Sequence, residues 1–308
     1  MTIGIAISPS TPADSNAVDT LIDLTQQAAD AGIDSVWFAQ LFEHDAITAA
    51  AIAGHAVPGI QVGTSVVPIY PRHPITLSSQ AQTAQAATHG RFSLGLGLSA
   101  RDFVQNAYGL PWDRPIKHLR EYLRALRSLL DNGEVDLAGE TLVAKSLMPA
   151  KVPGAQPPVP ILVAAMGPQA LQATGELADG TLPFLASPKV LTESIVPAIT
   201  RAAAGRPAPR VVASFVGIVT SSGDEIRAAA RERMSMYDQI PSYRKILDQG
   251  GVGHASELAV IGSEEAVAAE VQRYFDAGVT EVVVSQLGLA SAEDRGRTWA
   301  LLGELGRS

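Results

Sequence analysis

Gly63–Pro74, GTSVVPIYPRHP, and the segment running on from it to Gly90–Ser99, GRFSLGLGLS, decide how this chain folds. In the first, an apolar run ends in a polar corner broken by prolines. A helix-like run then leads to a second apolar run, spaced by glycines, that stops at Ser99. Where parallel strands alternate with helices, the carboxyl ends of the strands share one mouth, and the loops there carry the chemistry. The two corners are therefore expected side by side at that mouth, with the remainder serving as scaffold, lid or oligomer surface.

Working upstream, Ile3–Ile7 reads as a first strand, followed by the turn-rich SPSTPADSN. Asp14 or Ser15 is placed to cap a helix whose positions Val18, Leu21, Ile22, Thr25 and Ala29 keep helical spacing up to Gly32. Asp34–Ala39 is a short buried strand, Asp45 the cap of an Ala-rich helix over Ala46–Ala56, and Ile60–Val67 the third strand. Downstream, Pro74 suits the first turn of a helix, where a missing N–H costs nothing. Leu77, Ala81, Ala84 and Ala87 form its inner face, and Arg91–Leu98 is the fourth strand. From Arg114 a long helix carries Leu119, Leu123, Leu126 and Leu130 on one stripe, with Arg120, Glu121, Arg124 and Arg127 outside it. Four βα units in order predict a parallel sheet.

Residues 134–158 break the rhythm. VDLAGETLVA reads as a hairpin and KVPGAQPPVP as a proline-rich lead-in, together an insertion over the mouth. The rhythm then resumes with strands at Val159–Ala165, Thr181–Leu185, Arg210–Thr220 and Glu281–Ser285, separated by helices. A second, helical insertion spans 223–262 and is interrupted at Pro241. Eight strands with no compositional boundary predict an α/β chain forming a single (β/α)8 TIM barrel with insertions, one domain over 1–308. An open doubly wound sheet is the runner-up, because it would ordinarily split so long a chain in two.

Hydrophobic residues at 46% and charged ones at 18% suit a large buried core. Cysteine is absent, which removes disulfides, thiolate metal sites and cysteine nucleophiles. A net charge of −8 argues against a nucleic-acid surface, and no apolar run reaches the roughly 18 residues of a membrane span. MTIGIAISPS carries no basic export signal, so a cytoplasmic protein is expected. Arg72, Arg101, Arg114 and Lys117 fall at or after the mouth corners and predict a locally basic mouth suited to an anionic ligand, unless they are ordinary solvated side chains. The small faces of the helices at 46–56 and 77–89 suit a homodimer, or else pack within the barrel's own shell.

LGLGLS at 94–99 lacks the third glycine and the following acid of a dinucleotide fingerprint. Gly95 and Gly97 either admit a planar ring or phosphate or thin a crowded strand. VAAMGPQAL at 163–171 opens a helix at Gly167 and Pro168, a corner able to cradle an anion or simply to turn the chain. The six histidines show no ligand spacing, so no metal site is expected, and no GxSxG elbow appears. The residues alone lead to a barrel binding a phosphorylated planar ligand.

These corners together resemble the luciferase-like flavin and deazaflavin barrels, and among them the coenzyme F420-dependent oxidoreductases. The resemblance runs through WFAQ at 37–40, GTSVVPIYPRHP at 63–74, GRFSLGLGLS at 90–99, PILVAAMGP at 160–168 and ELADGT at 176–181. It implies F420 as cofactor, hydride exchange at the deazaflavin C5 and a small-molecule substrate. The peptide matching Ser65–Val66 would be cis without proline and would bulge against the back of the ring. Backbone at Gly97, Leu98 and Ser99, and at Ala165, Met166 and Gly167, would hold the ring, ribityl chain or phosphate. Gln40 matches a position approaching the ring's polar edge.

The departures are informative. Sugar-phosphate dehydrogenases of this branch carry an acid and a histidine at the second strand end and an acid after the fourth; here stand Gln40–Leu41 and Ala100–Arg101. Reduction of an activated C=C, C=N or C=O acceptor is therefore expected rather than sugar oxidation. No catalytic residue is fixed: Gln40 and His73 are candidates, with Glu43, His44 and Tyr70 near the same corners. The alternatives are an FMN-dependent monooxygenase of this fold and a barrel that binds flavin or deazaflavin without turnover.

Overall fold

Alternation along β2 (Ser35–Phe38) sends Ser35 and Trp37 to one face and Val36 and Phe38 to the other, and all four are buried. Trp37 lies on the axis of a closed barrel, level with Gly63 on one neighbouring strand and with Ala6, two residues beyond Gly4, on the other. A Cβ on Gly63 would stand 2.5 Å from the indole ring, and one on Gly4 would stand 3.2 Å from its nitrogen. One large ring between two glycine-thinned strands thus fills the centre. The computed structural model describes residues 1–7 and 15–307; the SPSTPAD corner, with Asp14, lies outside them.

The barrel strands are β1 (Ile3–Ile7), β2, β3 (Gln61–Thr64), β4 (Phe92–Gly97), β5 (Ile161–Val163), β6 (Gly180–Thr181), β7 (Arg210–Val219) and β8 (Glu281–Ser285). Each pairs parallel with the next, and β8 closes on β1 through Ile3↔Val282. The outer faces of these strands meet a shell of helices: α1 (Ala17–Ala31), α2 (Ala46–Ala56), α3 (Pro74–Ala87), α4 (Pro115–Asn132), α5 (Pro168–Leu177), α6 (188–202), α7 (Gly223–Gln239), α8 (Pro241–Gly250), α9 (Glu264–Asp276) and α10 (Ala292–Arg307). This is the TIM barrel that the sequence predicts.

The local signals hold with three corrections. Asn16, not Asp14 or Ser15, caps α1, its side-chain oxygen accepting the N–H of Val18 at 2.9 Å. The buried stripe of that helix runs through Leu21, Thr25 and Ala28, leaving Val18 in the outer first turn. Glu121 lies outside the leucine stripe of α4 yet is buried, because the insertion packs over that flank. Its carboxylate accepts the N–H groups of Glu140 and Thr141 and the Thr141 hydroxyl at 2.6 Å.

The hairpin of that insertion, Asp136–Ala138 paired antiparallel with Val143–Lys145, does not cover the mouth. It climbs the outside of α4, and only its tip reaches the rim, where Val143 O accepts from His73. The lead-in after it is clamped to α3 by Gln82, bonded to Ala150 and Val152, and by Gln85, bonded to Pro157. Alanines of α2 and α3 are buried within the shell, where the two helices pack on each other. No helix among the described residues is long and apolar enough to cross a membrane.

Candidate active site

The ladder between β3 and β4 is interrupted after Thr64 and resumes at Val67, opposite Leu96. Between them the Ser65–Val66 peptide is cis, as the resemblance implies. The Thr64 hydroxyl bridges the gap, accepting the Gly95 N–H and donating to the Gly95 carbonyl, both at 2.9 Å. It replaces the backbone partners that the bulge removes. Ser65 N–H donates to Phe38 O at 2.8 Å and Ile69 N–H to Gly97 O at 3.0 Å, so both flanks are pinned.

The glycines of LGLGLS serve this bulge. A Cβ on Gly95 would stand 1.8 Å from the Thr64 carbonyl oxygen, and one on Gly97 would stand 2.7 Å from the Val66 side chain. Glycine spacing thus marks where β4 receives its neighbour. Val66 packs on the axial cluster of Trp37, Leu162, Leu182, Val212 and Val283 and closes the barrel below the mouth.

Because β3, β4 and β5 are neighbours, Ser65–Val66, Gly97–Leu98–Ser99 and Ala165–Met166–Gly167 form one contiguous arc. Ser65, Val66 and Leu98 are half-buried and Ser99 is exposed, with a left-handed φ of 68°. Ala165 is buried, its carbonyl within 2.9 Å of the Thr181 hydroxyl, while Met166 rests on the main core. Gly167 is the N-cap of α5 with no side-chain cap, and a Cβ there would meet nothing within 4 Å.

Gln40 and His73 are turned to other work. The Gln40 amide donates to Leu41 O at 2.8 Å and His44 O at 3.0 Å, and its oxygen accepts from Ala46 N at 2.9 Å and from Arg72 at 3.3 Å. It braces the β2–α2 loop, whose carbonyls and first helical N–H have few other partners. His73 caps α3 through Nδ1, which accepts from Ile75 N, and donates Nε2–H to Val143 O at 2.9 Å, so both ring nitrogens are occupied. The expected basic mouth is also largely neutralised. Arg72 pairs with Asp45 at 2.5 Å, and Arg114 and Lys117 both pair with Glu140; Arg101 is exposed. Burial disfavours the Asp45 carboxylate, but Thr48 and Arg72 outweigh it and hold its pKa below the ordinary value.

Sequence reasoning passed over a stack of rings. Tyr70 lies 5.0 Å from Trp112 and 4.7 Å from His118, near-parallel to both. Burial, with the Asp113 carboxylate nearby, pushes the Tyr70 hydroxyl up to about 12, so it keeps its proton. Burial lowers the His118 pKa, partly opposed by Thr141 and Glu121. His118 Nδ1 lies 3.2 Å from the Thr141 hydroxyl, which itself donates to Glu121; Nδ1 therefore carries the proton. A histidine next to Leu119, at the edge of an apolar stripe, was the available signal.

Residues 1–281 match the family of luciferase-like monooxygenases. The chain belongs to that family. An uncharacterized protein of Mycobacterium tuberculosis is 30% identical to it over 254 residues, 77% of this chain and 74% of its own. The 5,10-methylenetetrahydromethanopterin reductase of Archaeoglobus fulgidus is 26% identical over 310 residues, covering 90% of this chain and 91% of its own. Among solved structures, the coenzyme F420-dependent tetrahydromethanopterin reductase of Methanopyrus kandleri superposes with a TM-score of 0.79 at 21% identity, over 98% and 97% of the two chains. The oxygenating constituent of 3,6-diketocamphane monooxygenase from Pseudomonas putida, in complex with FMN, gives 0.78 at 15% identity over 99% and 97%.

One of these solved proteins is named for dependence on coenzyme F420 and the other holds FMN, and the polar groups at this mouth fit a ring of that kind. Among the described residues, three of the five buried side-chain polar atoms without a partner stand in its loops: His44 Nε2, Tyr70 Oη and Gln286 Nε2. Buried polar groups ordinarily find partners, so their clustering at one end points to a polar ligand edge there.

Proposed function

We propose that this chain is a coenzyme F420-dependent oxidoreductase, working as a reductase, that passes a hydride between the deazaflavin and a small organic acceptor. The observation that carries the reading is the bulge at Ser65–Val66, seated on Gly95 and Gly97 at the strand ends and only half-buried. Support comes also from a relative named as a methylenetetrahydromethanopterin reductase that matches nine-tenths of the chain.

When bound, F420 supplies a two-electron hydride carrier at C5 of its ring. The chain supplies the rest. Ser65 and Val66 would back the ring with main chain. Leu98 and Ser99 would line its edge, and Ala165, Met166 and Gly167 would take the ribityl chain or phosphate beside the α5 N-terminus, which no side chain caps. Gln40 holds the β2–α2 loop in place rather than touching the ring, and His73 anchors the rim. Tyr70 keeps its proton on a buried hydroxyl without a partner at the same mouth, which suits it to donate a hydrogen bond to a ligand oxygen rather than to give the proton up.

Anaerobic stopped-flow with reduced F420 and a panel of enones, imines and ketones tests the reading. Reoxidation of F420 with at least one acceptor is expected. Oxygen uptake with reduced FMN, and no response to F420, would assign the chain to the monooxygenases instead. Binding of either cofactor with no turnover of any acceptor would leave a carrier protein.

A further inference from the structure

At the mouth, the loops after β2 and β3 and the turn at Tyr108 border an open groove of about 340 Å³, lined by Gln40, Leu41, Phe42, Pro71, Arg72 and Tyr108. That volume falls within the range of small-ligand sites, roughly 300–1,000 Å³. We propose that this groove is the acceptor subsite and that it takes a neutral, planar, conjugated carbonyl compound. The inference rests on the oxidoreductase reading and adds a substrate class to it.

Rings dominate its rim. Phe42 stacks on Phe103 with centroids 6.1 Å apart and planes 22° apart, and Tyr108 stands 6.3 Å from Phe42. Leu41 and Phe42 are 57% and 65% exposed, an unusual concentration of apolar surface on one loop tip. A flat conjugated molecule laid against Phe42 and Tyr108 would cover this surface and gain offset-stacking contacts.

Charge settles the rest. The groove's single charged lining residue, Arg72, is paired with Asp45, and the Gln40 amide has all its positions filled, so no net charge is presented to an occupant. A carboxylate or phosphate would give up water without an opposite charge in return. A carbonyl oxygen asks for no more than a donor, which the Tyr108 hydroxyl can supply.

Calorimetric titration of the cofactor-free protein with 2-naphthamide and with 2-naphthoate, its anionic counterpart, tests this. The amide should bind at least tenfold tighter than the anion, and Phe42→Ala and Tyr108→Ala should each weaken it at least tenfold with the thermal midpoint unchanged. Equal or tighter binding of the anion, no binding of the amide, or indifference to both substitutions would overturn the proposal. So would a dimer that dissociates on Phe42→Ala, which would give the aromatic rim to a second copy. F420 titration of the same samples separates the two readings. Amide binding without F420 binding sinks the cofactor assignment alone, and the reverse sinks the subsite alone.

Discussion

The barrel's two ends treat polar groups in opposite ways. At the amino-terminal floor the Glu281 carboxylate, 4% exposed, accepts Ser35 Oγ at 2.6 Å, Trp37 Nε1 at 2.8 Å and Arg210 at 2.8 Å, and Arg210 passes on to Ser93 at 3.1 Å. That network is closed and covers the underside of the axial tryptophan. At the mouth, buried polar atoms of His44, Tyr70 and Gln286 have no partner, and the rings of Phe42 and Phe103 stand partly in solvent. The floor is arranged to stabilise the fold, whereas the mouth leaves its interactions to a ligand. Substitutions at the two ends should therefore separate stability from binding.

The largest effect on stability is expected at the floor. Glu281→Ala strips Arg210, Ser35 and Trp37 of their common acceptor and should cost about 3 kcal/mol, near the lower end for a broken buried pair. Urea unfolding would measure it, and the folded fraction should bind F420 as the wild type does. Thr64 belongs to both ends of the comparison, because it supports the fold and shapes the bulge. Thr64→Val leaves the Gly95 N–H and carbonyl without partners, an expected loss of about 1–3 kcal/mol, with weaker F420 binding; Thr64→Ser should restore both.

Gly167→Asp should move the two properties in opposite directions. The cap position has extended backbone and open space, so aspartate should raise stability by a few tenths of a kcal/mol. The added carboxylate should repel a phosphate at the same helix N-terminus and weaken F420 at least tenfold. The smallest effect concerns pH. His118 resists protonation in the folded protein and not in the unfolded chain, whose ordinary pKa is 6.5. The unfolded state therefore binds more protons below that pH, so this contribution is complete above about 6.5 and declines as acid is added. His118→Gln should flatten that limb of a stability-against-pH curve.

How far the sequence was legible follows from the same contrast. Strand alternation and helix punctuation are local, so β1 to β8, the Asp45 cap and the break at Pro241 could be read one segment at a time. The bulge entered through resemblance to known barrels, because nothing within TSVV says that Thr64 will bond a glycine thirty-one residues away. Gly95 and Gly97 were visible as close approaches, but the approaching group, the neighbouring strand itself, depends on sheet order. Gln40 and His73 looked chemical because they are polar residues at corners. Their hydrogen bonds go to backbone that is near only after folding. Glu121 lies outside the leucine stripe as its spacing predicts, but its burial was not legible, since helical spacing cannot foresee a hairpin packing over the polar side.

Diffraction from crystals soaked with oxidised F420 tests the central claim most directly. The account expects the ring against the main chain of Ser65 and Val66, with its phosphate at Gly167 and one face open towards Phe42 and Tyr108. A ring bound away from the bulge, or a mouth that stays free of F420 at saturating concentration, would contradict it.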